Sequence, residues 1–263
     1  MIKSRAVLPL LLGVGLLAAN AAQADIPVPE SCTNIVAVAL GTQPPYSNEQ
    51  GTGVDAQLSR ELAKQAEIKI NQLTVDSYEE GLQAFASGQG DMWLSARLDL
   101  LEHADAQLIE PAYWQARYQL WFRYAELTDL KQAPALRGLR GVYWPAQIKP
   151  GLLTPWLGEM DVQQGFEVAN QREAVQAVLN GKADFLLADG YELDLDLQAL
   201  AAQDELEALA QVRVTESVYI ALSNNSACND PALQSKLSQA LRELNKRGVA
   251  KKLLQKNQAS LKP

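Results

Sequence analysis

The chain holds a single histidine, His103, and only two cysteines, Cys32 and Cys228, among 263 residues. One imidazole and two distant thiols cannot furnish a tetrahedral ligand set, so no metal or other cofactor is expected. A nucleophilic triad built on histidine would rest on His103 alone, in the charged segment Glu102-His103-Ala104-Asp105. Basic charge is scarce as well: 23 Lys and Arg stand against 31 Asp and Glu, a net charge of −8. Nucleic-acid binding relies on clustered cations that neutralise phosphates, and that class is excluded. Apolar runs are short. The longest, Ala6 to Ala19, falls below the ~20 residues of a spanning helix, and no second one follows, so the protein is not expected to be membrane-embedded.

That run has another meaning. Lys3 and Arg5 precede it, and Ala22-Gln23-Ala24 offers a small-residue cleavage site, so residues 1–24 read as a signal peptide removed on export to the periplasm. No cysteine sits at the junction, which argues against a lipid anchor. Lys3 and Arg5 belong to the leader, which holds no acid, so the remainder carries −10. Export also places Cys32 and Cys228 in an oxidising compartment, where they are expected to pair, although two separate thiols are an alternative that spacing does not exclude.

The 239 remaining residues alternate strand-like runs with helical periodicity. Strands are expected at Ile35–Leu40, Ile68–Leu73, Asp91–Ser95, Tyr118–Tyr124, Leu139–Tyr143, Ala183–Leu187, Val212–Thr215 and Val218–Leu222. Helices are expected at Asp55–Ala66, Tyr78–Ala86, Gln171–Leu179, Tyr191–Leu197, Asp204–Ala210 and Pro231–Leu244. Such alternation indicates an α/β sheet. Two segments echo each other, residues 78–91 and 170–184: each is a helix, a glycine C-cap and an aspartate leading into a strand, and together they suggest two similar lobes. The polar stretch 125–135 is the expected passage between them.

Five segments in order, GTQPPYS, GVDAQLSRELAKQ, ALRGLRGV, ADFLLAD and LSQALRELNKRGVAKKLLQK with its break at Gly248, carry a family resemblance over essentially the whole exported chain. It resembles periplasmic solute-binding proteins of the polar-amino-acid ABC transporter type, extracellular solute-binding protein family 3. The resemblance implies an α/β clamshell of two lobes, each a mixed sheet flanked by helices and joined by two hinge strands. Lobe I would comprise 25–120 and 218–263 and lobe II 121–217, with hinges near Leu120–Tyr124 and Thr215–Val218. It implies a monomer that captures a small polar solute, amino-acid-like or cationic, for an inner-membrane ABC permease.

The site implied by the resemblance is altered here. Gln43 precedes Pro44-Pro45 where a stacking aromatic is common, and Tyr46 follows in the same loop. The family's carboxylate-binding Arg falls on Glu102, and its second anion loop is replaced by Tyr143-Trp144-Pro145. Asp189 matches the residue that holds the ammonium, or else caps the helix that follows. Arg97, beyond Ser95 at the end of a strand, restores the lost cation or is an ordinary salt-bridged loop residue. The ligand-binding set is therefore expected to be Gln43, Tyr46, Ser95, Arg97, Trp144 and Asp189, with Asp55 an N-cap and Trp93 and Trp121 in the core. Two other readings are a non-transport accessory or sensory clamp, and a periplasmic dehydratase-like enzyme using Glu102 with Asp189, which would lack the cation its acid substrate needs.

Overall fold

The structure is a computed structural model that describes residues 27–41, 46–47, 52–97, 103–123, 138–144 and 166–260, with side chains of 210–214 and 258–260 left aside. Among the described residues eight strands form one sheet, in the order β2-β1-β3-β8-β4-β7-β5-β6. They are β1 (Asn34–Leu40), β2 (Lys69–Val75), β3 (Met92–Ala96), β4 (Ala106–Arg123), β5 (Gly141–Tyr143), β6 (Phe166–Glu167), β7 (Phe185–Asp189) and β8 (Leu206–Ser223). The helices are α1 (Val54–Ala66), α2 (Tyr78–Ala86), α3 (Gln171–Leu179), α4 (Gly190–Ala199), α5 (Pro231–Lys246) and α6 (Val249–Ser260). Two parallel blocks, β2-β1-β3 and β7-β5-β6, hang from the antiparallel pair of 18-residue strands β8 and β4. This is the two-lobed mixed α/β architecture that the alternation of strands and helices leads one to expect.

The echo seen in the sequence is a repeated hydrogen-bonding device. Ser77 caps α2 by accepting from the Glu80 N–H at 3.1 Å, and Asn170 caps α3 by accepting from the Glu173 N–H at 3.0 Å. Gly88 (φ 78°) and Gly181 (φ 68°) then turn the chain in the left-handed region that glycine tolerates. Asp91 and Asp184 open the next strands by binding the neighbouring strand's start. The Val36 N–H donates to Asp91 Oδ2 at 2.8 Å, and the Arg140 N–H donates to Asp184 Oδ2 at 2.6 Å.

One apolar core lies between the first block and α1, α5 and α6. Leu233, Leu237, Leu241 and Leu244 of α5 recur at helical spacing and are fully buried there. The second block has its own core, with Val142, Val175, Val178, Leu186 and Leu193. Cys32 and Cys228 are disulfide-bonded, with Cα atoms 5.2 Å apart.

One expectation is corrected. Residues 204–210 are not a helix; Leu206 to Ser223 is a single strand, paired through Leu206 with Arg123, Glu207 with Phe122 and Ala208 with Trp121. Leu206 and Leu209 are buried while Glu207 faces out, and pairing along the long β4 edge outweighs the helix preference of Glu, Leu and Ala. The strands expected at 118–124, 212–215 and 218–222 are likewise parts of β4 and β8, with Tyr124 and 125–135 outside the described residues. The described parts of the two expected hinge stretches lie on the antiparallel pair β4 and β8, at different points of its register. Thr215 to Val218 pairs with Trp114 to Arg117, whereas Trp121 to Arg123 pairs with 206–208.

The disulfide closes a sequence separation of 196, for which loop-closure entropy gives an upper figure of about 5 kcal/mol. Replacing both cysteines by serine is expected to lower the unfolding free energy by several kcal/mol in urea titrations of the oxidised protein. A change below about 1 kcal/mol would contradict a stabilising bridge.

Candidate functional site

Ligands of open α/β sheets collect beyond the carboxyl ends of the strands, and the charged groups of this chain meet there. Arg97 lies one residue past β3. Its guanidinium reaches Glu192 in the first turn of α4 and Glu216 on β8, each at 3.6 Å, and stacks 5.5 Å from the centre of the Tyr118 ring. The Arg97 side chain is 16 % exposed and that of Glu216 only 3 %. Burial opposes the charge on Arg97, but Tyr118, Glu192, Glu216 and Tyr46 outweigh it and hold the pKa above its ordinary value. Tyr46 and Tyr118 are buried, and burial raises both phenols further. Neither hydroxyl has a hydrogen-bond partner among the described residues.

Asp55 adjoins this group. It occupies the second position of α1, on the face that also buries Leu58, Ser59 and Leu62, so it points inward. Ser95 Oγ lies 2.7 and 2.8 Å from its two carboxylate oxygens and 2.9 Å from the Tyr113 hydroxyl. A register shift in β3 and a left-handed backbone at Ser95 (φ 55°) accompany this placement. Burial pushes the Asp55 carboxyl up to about 7, against the hydrogen bonds from Ser95 and Tyr113 and the charge of Arg97.

Asp189 ends β7 and is 1 % exposed. Its Oδ1 accepts from the N–H groups of Tyr191 (2.8 Å) and Glu192 (3.4 Å), capping α4, while Oδ2 accepts from the Arg117 N–H at 2.9 Å. Burial raises its pKa against these three bonds and the charge of Arg97. The cap is thus what the geometry displays, and the carboxylate still lies within the field of Arg97 and Tyr46.

Of the expected site residues, Tyr46, Ser95, Arg97 and Asp189 come together around one charged cluster. Gln43, Pro44-Pro45, Glu102 and Pro145 lie outside the described residues. Trp144 is placed elsewhere: directly after β5, it is 8 % exposed in the second apolar core with Val142, Ala174 and Leu186. Asp55 is not an N-cap; Gly53 holds that position. Trp93 packs in the core as expected, edge-on to Tyr78 and Phe85, and His103 is exposed.

Sequence reasoning passed over Glu192, Glu216 and Tyr118. The signal for Glu216 is its phase: it alternates with Val218, Ile220 and Leu222, all of them buried, so an acid occupies the inward face of a strand. For Glu192 the signal is an acid three residues after a capping Asp. A second contact joins the same elements: Tyr191 of α4 meets Trp114 edge-on at 5.3 Å and packs against the Tyr46, Val54 and Leu254 cluster.

The sequence matches the family described as ABC transporter, phosphonate, periplasmic substrate-binding protein over residues 41–261. No curated protein matches it. Among the solved structures that share the fold are the following three. The VFT2 domain of Bordetella pertussis BvgS is 17% identical with a TM-score of 0.67, covering 86% of this chain and 94% of that one. An amino acid ABC transporter substrate-binding protein from Streptococcus pneumoniae, bound to L-arginine, is 16% identical with a TM-score of 0.64 over 86% and 94%. A histidine kinase sensor domain with similarity to periplasmic binding proteins is 17% identical with a TM-score of 0.63 over 85% and 95%.

The raised Asp55 pKa has a pH signature. The folded state holds this proton more tightly than the unfolded state, where the ordinary value is 3.8. The stabilisation is therefore fully present below about pH 4 and lost as pH rises through about 7, an effect of at most about 4 kcal/mol. Asp55→Asn, neutral throughout, is expected to lose less of its thermal midpoint between pH 4 and pH 8 than the parent protein. Identical slopes for the two proteins would contradict the assignment.

Proposed function

The chain belongs to the periplasmic substrate-binding family of ABC transporters described for phosphonate, and from that premise we propose that it captures a small cationic or zwitterionic solute between its lobes. It would deliver that solute to an inner-membrane permease as a monomer, after export and removal of residues 1–24. The lobes would divide at 25–120 with 218–263, and at 121–217.

One observation carries the solute class. Asp55, Asp189, Glu192 and Glu216 all act on the single guanidinium of Arg97 where elements of both lobes meet. The first turn of α4, which could otherwise offer N–H groups to an anion, already binds the Asp189 carboxylate, and the first turn of α1 carries the Asp55 side chain, whose carboxylate is bonded by Ser95. A phosphonate dianion placed there would meet more negative charge than positive among the described residues. A solute ammonium or guanidinium would instead find carboxylates and the face of Tyr118.

The matched family consists of binding proteins rather than enzymes. A sensory role is a second reading, favoured by the likeness to a histidine kinase sensor domain and by the extent to which the cluster pairs its own charges.

A thermal-shift panel on the exported, oxidised protein tests the solute class: L-arginine, L-lysine, agmatine, putrescine, L-glutamate and methylphosphonate, each at about 100 times a micromolar dissociation constant. A binder of the folded state stabilises by about 2.7 kcal/mol at that excess, which is a rise of roughly 5–10 °C. A shift is expected from one or more of the cationic compounds and from neither methylphosphonate nor glutamate. A shift from methylphosphonate alone would overturn the cationic reading.

A further inference from the structure

The guanidinium of Arg97 has the surroundings a ligand would have. Glu192 and Glu216 approach it at 3.6 Å, the Tyr118 ring covers one side at 5.5 Å, and the buried hydroxyls of Tyr46 and Tyr118, without hydrogen-bond partners among the described residues, lie within its field. Glu192 belongs to α4, which packs with α3 and β7 in the second block, whereas Arg97 follows β3 of the first. The ion pair therefore links the two lobes through a side chain of the protein itself. Two carboxylates and an aromatic face arranged about a planar cation form a cage of general kind, selective for guanidinium over a carboxylate or a neutral solute.

We infer that Glu192, Glu216 and Tyr118 form a guanidinium-binding cage that the chain fills with its own Arg97 when no solute is bound, drawing the lobes together. The inference rests on the reading of this cluster as the solute site and deepens it in two ways. It names the solute group that competes for the cage, a guanidinium or a primary ammonium. It also assigns Arg97 the part of an internal competitor rather than of a carboxylate-binding group. Closure then precedes solute binding, and a solute gains entry only by displacing Arg97 from Glu192, which lowers its apparent affinity by the closed, self-occupied fraction. The Tyr191 contact with Trp114 gives α4 a second, apolar attachment to the first lobe, so exchange of the cation need not release the lobes entirely.

Arg97→Ala tests the cage by chemical rescue. In small-angle scattering the unliganded parent protein is expected to be compact and the variant expanded. Ethylguanidinium at about 10 mM should return the variant to the parent's radius of gyration and raise its thermal midpoint by roughly 2–5 °C, while leaving the parent unchanged. Ethylurea, neutral and of similar shape, should do neither. Glu192→Gln in the Arg97 background keeps the guanidinium and removes one wall. It should expand the unliganded protein too, and this reads the same link if Arg97→Ala does not fold. A variant as compact as the parent, or an expanded one that ethylguanidinium does not restore, overturns the inference. The two readings fail separately. A parent that is open without solute but closes on a cationic solute removes the self-filled cage and leaves the receptor. A rescue by ethylguanidinium with no response to any solute of the panel keeps the cage and removes the receptor.

Discussion

A charge taken out of water must be met by opposite charge or by dipoles, and in this chain the charge is Arg97. Its position just past β3, against a strand shared by both lobes and the first turn of a second-lobe helix, can be satisfied only when those three elements are together. The long antiparallel pair β4 and β8 makes that possible. It carries Glu216 and Tyr118 and also supports the parallel blocks from which Arg97 and Glu192 project. The cluster is thus a point where the fold and the proposed site share the same residues, and loss of Arg97 would leave its acids buried and uncompensated.

Carboxylates dominate the neighbourhood, and their roles differ. Asp189 is spoken for by three backbone N–H groups and shapes the entry of α4. Asp55 is held by Ser95 and, with its carboxyl pushed up to about 7, changes charge around neutral pH, whereas Glu192 and Glu216 pair with Arg97. On the proposed reading such a site takes a cation rather than the anion in the matched family's description, since membership of a family does not by itself determine the solute.

Most of the architecture was legible in the sequence. Local signals carried it: the capping residues Ser77 and Asn170, the glycines 88 and 181 with their left-handed backbone, and the apolar phase of β1 and α5 all agree with the folded state. The segment 204–210 misleads because its residues favour a helix locally and become a strand only through pairing with β4, a partner 80 or more residues away in sequence. The site was partly legible. Asp189 was visible through family resemblance and Arg97 through its place near a strand end, with Ser95 and Tyr46 named beside them, but Glu192, Glu216 and Tyr118 were not, because which side chain meets Arg97 depends on how β8 and α4 pack. Trp144 shows the converse case: an aromatic next to a proline reads as a loop residue facing the cleft, whereas the chain just past β5 packs it into a core.

The energetic coupling between Arg97 and Glu192 tests the central claim most directly. Urea unfolding of the parent, Arg97→Met, Glu192→Gln and the double variant closes a double-mutant cycle. Arg97→Met is expected to cost about 3 kcal/mol, because it strands the acids around it, and Glu192→Gln less, because Glu216 still faces Arg97; the double variant should cost less than the sum by at least about 1 kcal/mol. Additive losses would mean that the two residues do not sense each other in solution, and that the lobes are not joined through this pair.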